Sequence, residues 1–138
     1  MAKILLIEDH PDTRDLVRMV LEMDGHTIVA VEKAEDGLKR AKEFAPELIL
    51  MDISLAGEID GLEAAKRLRA DQTFDRTVIV ALTAHAMQKD EEKILAAGCD
   101  RYWTKPIVDL ELFKTTVAET LECGRASQAV GKNEDVAV

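Results

Sequence analysis

Short, almost wholly apolar runs alternate along this chain with longer stretches in which apolar residues recur every third or fourth position. The runs KILLIE, TIVAV, ELILMD, TVIVAL and DRYWT predict strands over residues 3–8, 27–31, 47–52, 77–82 and 100–104. Most lack the apolar/polar alternation of a half-exposed strand, so they read as strands covered on both faces. Between them lie amphipathic segments. Pro11 suits the first position of a helix. Leu16, Val17, Val20 and Leu21 give that helix its buried stripe, and Gly25 ends it. A second helix is predicted over 34–45, with Pro46 separating it from the third strand. A third runs over 61–70 with Leu62, Ala65 and Leu68 inward, and a fourth over 87–97 with Met87, Ile94 and Leu95 inward and Gly98 as its stop. The last follows Asp109 as N-cap, with Leu110, Phe113, Val117 and Leu121 as its stripe.

Five strands alternating with five helices predict right-handed crossovers between parallel strands. The expected fold is α/β: a doubly wound five-stranded parallel sheet in the flavodoxin-like order 2-1-3-4-5, with helices on both faces. A length of 138 residues with 47% apolar content supports one core. Residues 1–123 are expected to form that domain. Residues 124–138 lack aromatics and mix small, polar and charged residues, which predicts a disordered tail. Such a tail cannot build a second core, so no attached output domain is expected.

Charge and leader patterns narrow the function classes. The 18 Lys and Arg against 27 Asp and Glu give a net charge of −9, which opposes contacts to a phosphate backbone. Nucleic acid is not an expected partner. With no leader and no apolar run near 18 residues, no membrane association is expected either, and the protein is read as cytoplasmic. Cys99 and Cys123 show no CxxC or metal-like spacing, so both are expected to stay reduced, Cys99 as a small buried hydrophobe.

The chemistry gathers where the strands end. The first run ends at Glu8 and Asp9, the third at Asp52, the fourth at Thr83 and the fifth at Lys105. In a parallel sheet these C-terminal ends share one edge, where open α/β sheets bind ligands. Carboxylates placed about 4 Å apart repel by about 4 kcal/mol per pair at an effective dielectric of 20, and each attracts a divalent cation about twice as strongly. A hard cation with oxygen ligands is therefore expected, with Mg2+ the usual choice where phosphate also binds and Mn2+ as its substitute. Metal and Lys105 together would screen an incoming phosphoryl group, leaving a carboxylate to act as nucleophile while the Thr83 hydroxyl donates to the phosphate oxygens.

In order along the chain, ILLIEDHP, LILMDISL, VIVALTAHAM and AGCDRYWTKPI resemble the motifs of bacterial two-component response-regulator receiver domains, from about Lys3 to Cys123. The resemblance implies a signalling phosphoacceptor, not an enzyme with a separate substrate, which catalyses only its own phosphorylation and dephosphorylation. Asp52 would take the phosphoryl group from the phosphohistidine of a histidine kinase or histidine phosphotransfer protein. Asp9 and Asp52 would ligate Mg2+ directly, Glu8 through water, and Ser54 through its backbone carbonyl. Lys105 would contact phosphate ahead of a Lys105–Pro106 bond that is cis in the family. Thr83 and Tyr102 would form the switch pair, and the output would pass through contact with a downstream protein.

The loop after Asp52 departs from the family pattern. Ala56 stands where receivers commonly have Pro, and Gly61 comes nine residues after Asp52, one later than usual. This weakens the case for Ser54 above all. Trp103 is bulkier than the aliphatic residue expected beside Tyr102. His10, His26 and His85 lack ligand spacing and read as surface or loop histidines, with His85 also placed to tune phosphate lifetime. Two other classes compete on the same fold. An aspartyl phosphatase would resemble a DxD motif, where Ser54 stands here in place of the second Asp. A flavodoxin-like cofactor binder would favour Ser, Thr and Gly in its first loop, where this chain has EDHP.

Overall fold

A computed structural model of the chain describes residues 2–53, 59–83, 88–104 and 109–124, the side chains of 88–91 and 104 excepted. The elements alternate as β1 (Lys3–Ile7), α1 (Pro11–Met23), β2 (Thr27–Val31), α2 (Ala34–Phe44), β3 (Leu48–Asp52), α3 (Gly61–Ala70), β4 (Val78–Thr83), α4 (Gln88–Ala96), β5 (Arg101–Thr104) and α5 (Leu110–Cys123). A short 3₁₀ turn, Gln72–Phe74, follows α3. All neighbouring strands pair parallel, in the order β2-β1-β3-β4-β5. Parallel pairing puts every strand's C-terminus on one edge, which holds Ile7, Val31, Asp52, Thr83 and Thr104.

The apolar runs build two core layers because successive side chains point to opposite faces. Ile4, Leu6, Leu48, Leu50, Val78, Val80, Leu82 and Trp103 pack against Val17, Val20 and Leu21 of α1 and Phe113 and Val117 of α5. On the other face, Leu5, Ile7, Ile49, Met51, Ile79, Ala81 and Tyr102 meet buried residues of α2, α3 and α4. The helices therefore sit on both faces, as the doubly wound reading requires. Trp103 is fully buried and edge-on to Phe113, with ring centroids 5.9 Å apart.

Local chemistry sets the helix ends. Pro11 takes the first turn of α1, where no amide partner is needed. Asp60 and Asp109 cap α3 and α5 by accepting from the amides of Glu63 and Leu112, each at 2.9 Å. Gly25 and Gly98 leave α1 and α4 at φ 93° and 108°. Ala45 does the same after α2 at φ 52°, a conformation strained for a residue with a Cβ.

Three expectations are corrected. Leu95 is 39% exposed, because Ile94 and Ala97 take the inward positions of that turn. Leu110 is 37% exposed, so the buried stripe of α5 starts at Phe113. His26 lies in the loop between α1 and β2, as expected, but not at the surface: its side chain is only 7% exposed and its Nδ1 accepts from the Ala2 amide at 3.1 Å. The predicted inward position of Met87 and the tail beyond Gly124 lie outside the described residues.

One buried ion pair ties the lower edge together. Arg69 of α3 donates Nη2 to Asp100 Oδ2 at 2.8 Å, and its other donors reach the carbonyls of Phe74, Thr77 and Gly98. Asp100 Oδ2 in turn accepts from the Ile79 amide at 2.8 Å. The guanidinium fork thus donates to carbonyls in the turns after α3 and α4, adding to the bond that Phe74 O accepts from the Thr77 amide.

Candidate functional site

Glu8 and Asp9 leave β1 directly into the loop before α1. The Glu8 amide donates to Val31 O at 3.0 Å, which carries the ladder one residue past the strand. Glu8 is fully buried; its Oε2 accepts from the His10 amide at 3.1 Å and its carbonyl from Arg14 Nη1 at 3.2 Å. His10 caps α1 by accepting from the Thr13 amide at its Nδ1. Both the approach of Glu8 and the start of α1 are fixed in this way.

Asp52 is the last residue of β3 and is buried, facing Leu82 across the ladder. The next amide, of Ile53, donates to Leu82 O at 3.2 Å. One carboxylate oxygen from each of Glu8, Asp9 and Asp52 lies within 4.8 Å of the others. Glu8 and Asp52 are buried and Asp9 is half-buried, so solvent reaches the group at Asp9. Three hard oxygen donors converging at the mouth of a sheet fit a divalent cation such as Mg2+.

Thr83 ends β4, is buried, and stands one register step beyond the Asp52–Leu82 pair. By strand alternation it continues the face of Ile79 and Ala81, and Tyr102 lies opposite Ala81 on β5. Thr83 and Tyr102 are therefore diagonal neighbours on one face of the sheet. Tyr102 is buried, its side chain part of the core beneath α2, α3 and α4. Ser54, His85, Lys105 and Pro106 lie outside the described residues; in sequence, Lys105 follows the last residue of β5. Cys99 behaves as expected of a buried hydrophobe, with its thiol pushed up to about 12 by burial.

Two basic contributors carried no local signal. Arg14, whose guanidinium also lies 3.7 Å from Glu32, is one helical turn inside α1. Its reach to the Glu8 carbonyl is legible only once the helix is placed on the sheet. The Arg69–Asp100 pair joins residues 31 apart in sequence.

The family described as "Response regulator receiver domain" matches residues 4–117 of the chain. The chain belongs to the response regulator receiver family. Among relatives of this receiver, the polar-differentiation response regulators DivK of Brucella ovis and Brucella suis are 38% identical over 104 residues, covering 75% of this chain and 84% of theirs. The receiver domain of a Pseudomonas aeruginosa sensor histidine kinase, solved with a magnesium ion coordinated in its active-site cleft, has 30% identity and a TM-score of 0.76, over 91% of this chain and 98% of that one. The Vibrio cholerae chemotaxis response regulator CheY4 shares the fold at a TM-score of 0.80 and 23% identity, over 86% of this chain and 98% of its own. Among the described residues of this receiver, no helix is long and apolar enough to cross a membrane.

Proposed function

We propose that this receiver accepts a phosphoryl group on Asp52 from the phosphohistidine of a histidine kinase or histidine phosphotransfer protein, and that it passes the signal on by binding a downstream protein. The P–N bond of the donor breaks as a P–O bond forms to the Asp52 carboxylate. The observation that carries this reading is the convergence of Glu8, Asp9 and Asp52 at the C-terminal edge of the sheet. When bound, Mg2+ supplies charge neutralisation for the entering phosphoryl oxygens.

Asp9 and Asp52 would hold the cation directly and Glu8 through water, with the Ser54 carbonyl, outside the described residues, as the remaining protein ligand the family resemblance implies. Buried Glu8, fixed by the His10 amide and Arg14, keeps its carboxylate aimed at the cluster in the absence of metal. Lys105, just past β5, contacts the transferred phosphate, and the Thr83 hydroxyl donates to it. Tyr102 shares the face of Thr83, so displacement of that hydroxyl toward phosphate changes the packing available to the ring. This is the switch that reaches α4, β5 and α5. Residues 1–123 make up the phosphoacceptor domain, and the protein acts in the cytoplasm.

The test is labelling by acetyl phosphate with Mg2+ in wild type and Asp52→Asn. Wild type is expected to take up one phosphoryl group at Asp52 and the variant none. Stoichiometric labelling of Asp52→Asn would remove Asp52 from the acceptor role.

A further inference from the structure

Gly61 is the buried first residue of α3, and the space around it is closed by backbone. A Cβ placed on it would overlap the carbonyl oxygen of Asp52 and would lie 2.6 Å from Ile53 Cα and 3.1 Å from the Asp52 carbonyl carbon. Its own amide donates to Ile53 O at 3.3 Å. The peptide joining Asp52 to Ile53 is therefore held from two sides, by α3 through Gly61 and by β4 through the bond from the Ile53 amide to Leu82 O. Its conformation does not require glycine, since Gly61 is absent from the glycines with positive φ. Only the missing side chain does.

Gly37 makes a useful contrast. The three atoms nearest to a Cβ there all belong to the side chain of Ile7, which it would overlap at Cδ1 and approach to 2.7 Å at Cγ1. A side-chain tip can move aside; the backbone that carries Asp52 cannot move without moving the carboxylate.

We propose that Gly61 is a positioning residue for the acidic cluster, its missing Cβ allowing α3 to abut the Asp52–Ile53 peptide and so set the acceptor carboxylate against Glu8 and Asp9. This rests on reading those three residues as the cation site. Mg2+ demands near-ideal octahedral geometry, so a shift of the Asp52 backbone is read out as lost affinity. Loss of groups that orient metal ligands typically lowers affinity by about 10- to 100-fold.

The experiment titrates Mg2+ into wild type, Gly61→Ala and Gly37→Ala, with urea unfolding of each in parallel. Gly61→Ala is expected to bind Mg2+ at least about tenfold more weakly. Gly37→Ala is expected to lose stability while keeping wild-type affinity, because its strain falls on Ile7. Wild-type affinity in Gly61→Ala, or equal losses in both variants, overturns the proposal. A measurement on wild type alone covers failure of Gly61→Ala to fold: protection of the Gly61 amide from hydrogen exchange should rise when Mg2+ saturates the site, and unchanged protection also overturns the proposal. Absence of Mg2+ binding in wild type overturns the cation site itself, and the role of Gly61 falls with it.

Discussion

Asp52→Asn in metal-free buffer removes one of three negative charges from a cluster whose nearest carboxylate oxygens lie within 4.8 Å of one another. At that separation and an effective dielectric of 20, each pair repels by about 3.5 kcal/mol. The substitution abolishes two of the three pairs, about 7 kcal/mol of repulsion at that separation. Water on the open side of half-buried Asp9 and relaxation of its side chain lower this, leaving a net stabilisation on the order of 1 to 2 kcal/mol. Metal-free Asp52→Asn is thus expected to be more stable than wild type. Saturating Mg2+ reverses the order, since a ligand at a hundred times its Kd stabilises the folded state by about 2.7 kcal/mol and the variant has lost a ligand. Urea unfolding followed by the fluorescence of Trp103 measures both midpoints, with and without chelator. Added NaCl should narrow the metal-free gap. A variant less stable than wild type in chelator, or equal stabilisation of both proteins by Mg2+, would refute the claim that repulsion among these carboxylates is what the cation relieves.

Arg69→Met should destabilise the fold by about 3 to 5 kcal/mol, because it takes the guanidinium away from the largely buried Asp100 carboxylate and removes one donor from each of three carbonyls; a loss below 1 kcal/mol in urea unfolding would contradict this. Burial first, and then the charge of the N-terminus, hold the His26 imidazole below its ordinary value of 6.5 against the opposing pull of Asp24 and Glu47. The unfolded chain therefore takes up the proton more readily, so the contribution of His26 is fully present above about 6.5 and is lost as pH falls through the folded value. Relative to His26→Phe, wild type should lose stability on acidification, and parallel pH profiles would exclude the effect. Ala45→Gly should raise stability by about 0.5 to 1 kcal/mol by relieving φ 52° at the end of α2; an unchanged or lower unfolding midpoint would contradict it.

The sheet was legible because its strands are buried on both faces, which leaves runs such as LILM and VIVAL with no polar interruption. Predicted and observed strand limits differ by no more than one residue at either end. Helix faces were less legible. The spacing of Leu110 fits the α5 stripe, but the first turn of that helix leaves it exposed, and spacing alone does not say where a helix meets its sheet. In α4, Leu95 adjoins Ile94 in sequence and only one of the two can face the sheet. The burial of His26 in its loop was not legible because its partner, the Ala2 amide, comes from β1's approach and is 24 residues away.

The acidic cluster was legible for a different reason: topology converts sequence order into spatial convergence. Glu8, Asp9 and Asp52 follow or end strands that are neighbours in the sheet, so a strand assignment alone brings them together. What supports that convergence is not encoded at strand ends. Arg14 acts from within a helix, and Gly61 acts by having no side chain, which a sequence displays only as an offset in the loop after Asp52. The same alternation that hides these supports separates the proposed acceptor from the proposed switch pair. Asp52 continues the face of Leu48 and Leu50, toward α1 and α5, whereas Thr83 and Tyr102 continue the opposite face, toward α2, α3 and α4. On the proposed reading, a phosphoryl group on Asp52 would act on Tyr102 through the sheet edge, where Thr83 ends β4. Tyr102 is already buried in this arrangement, so the change available to it is a repacking within the layer beneath α4.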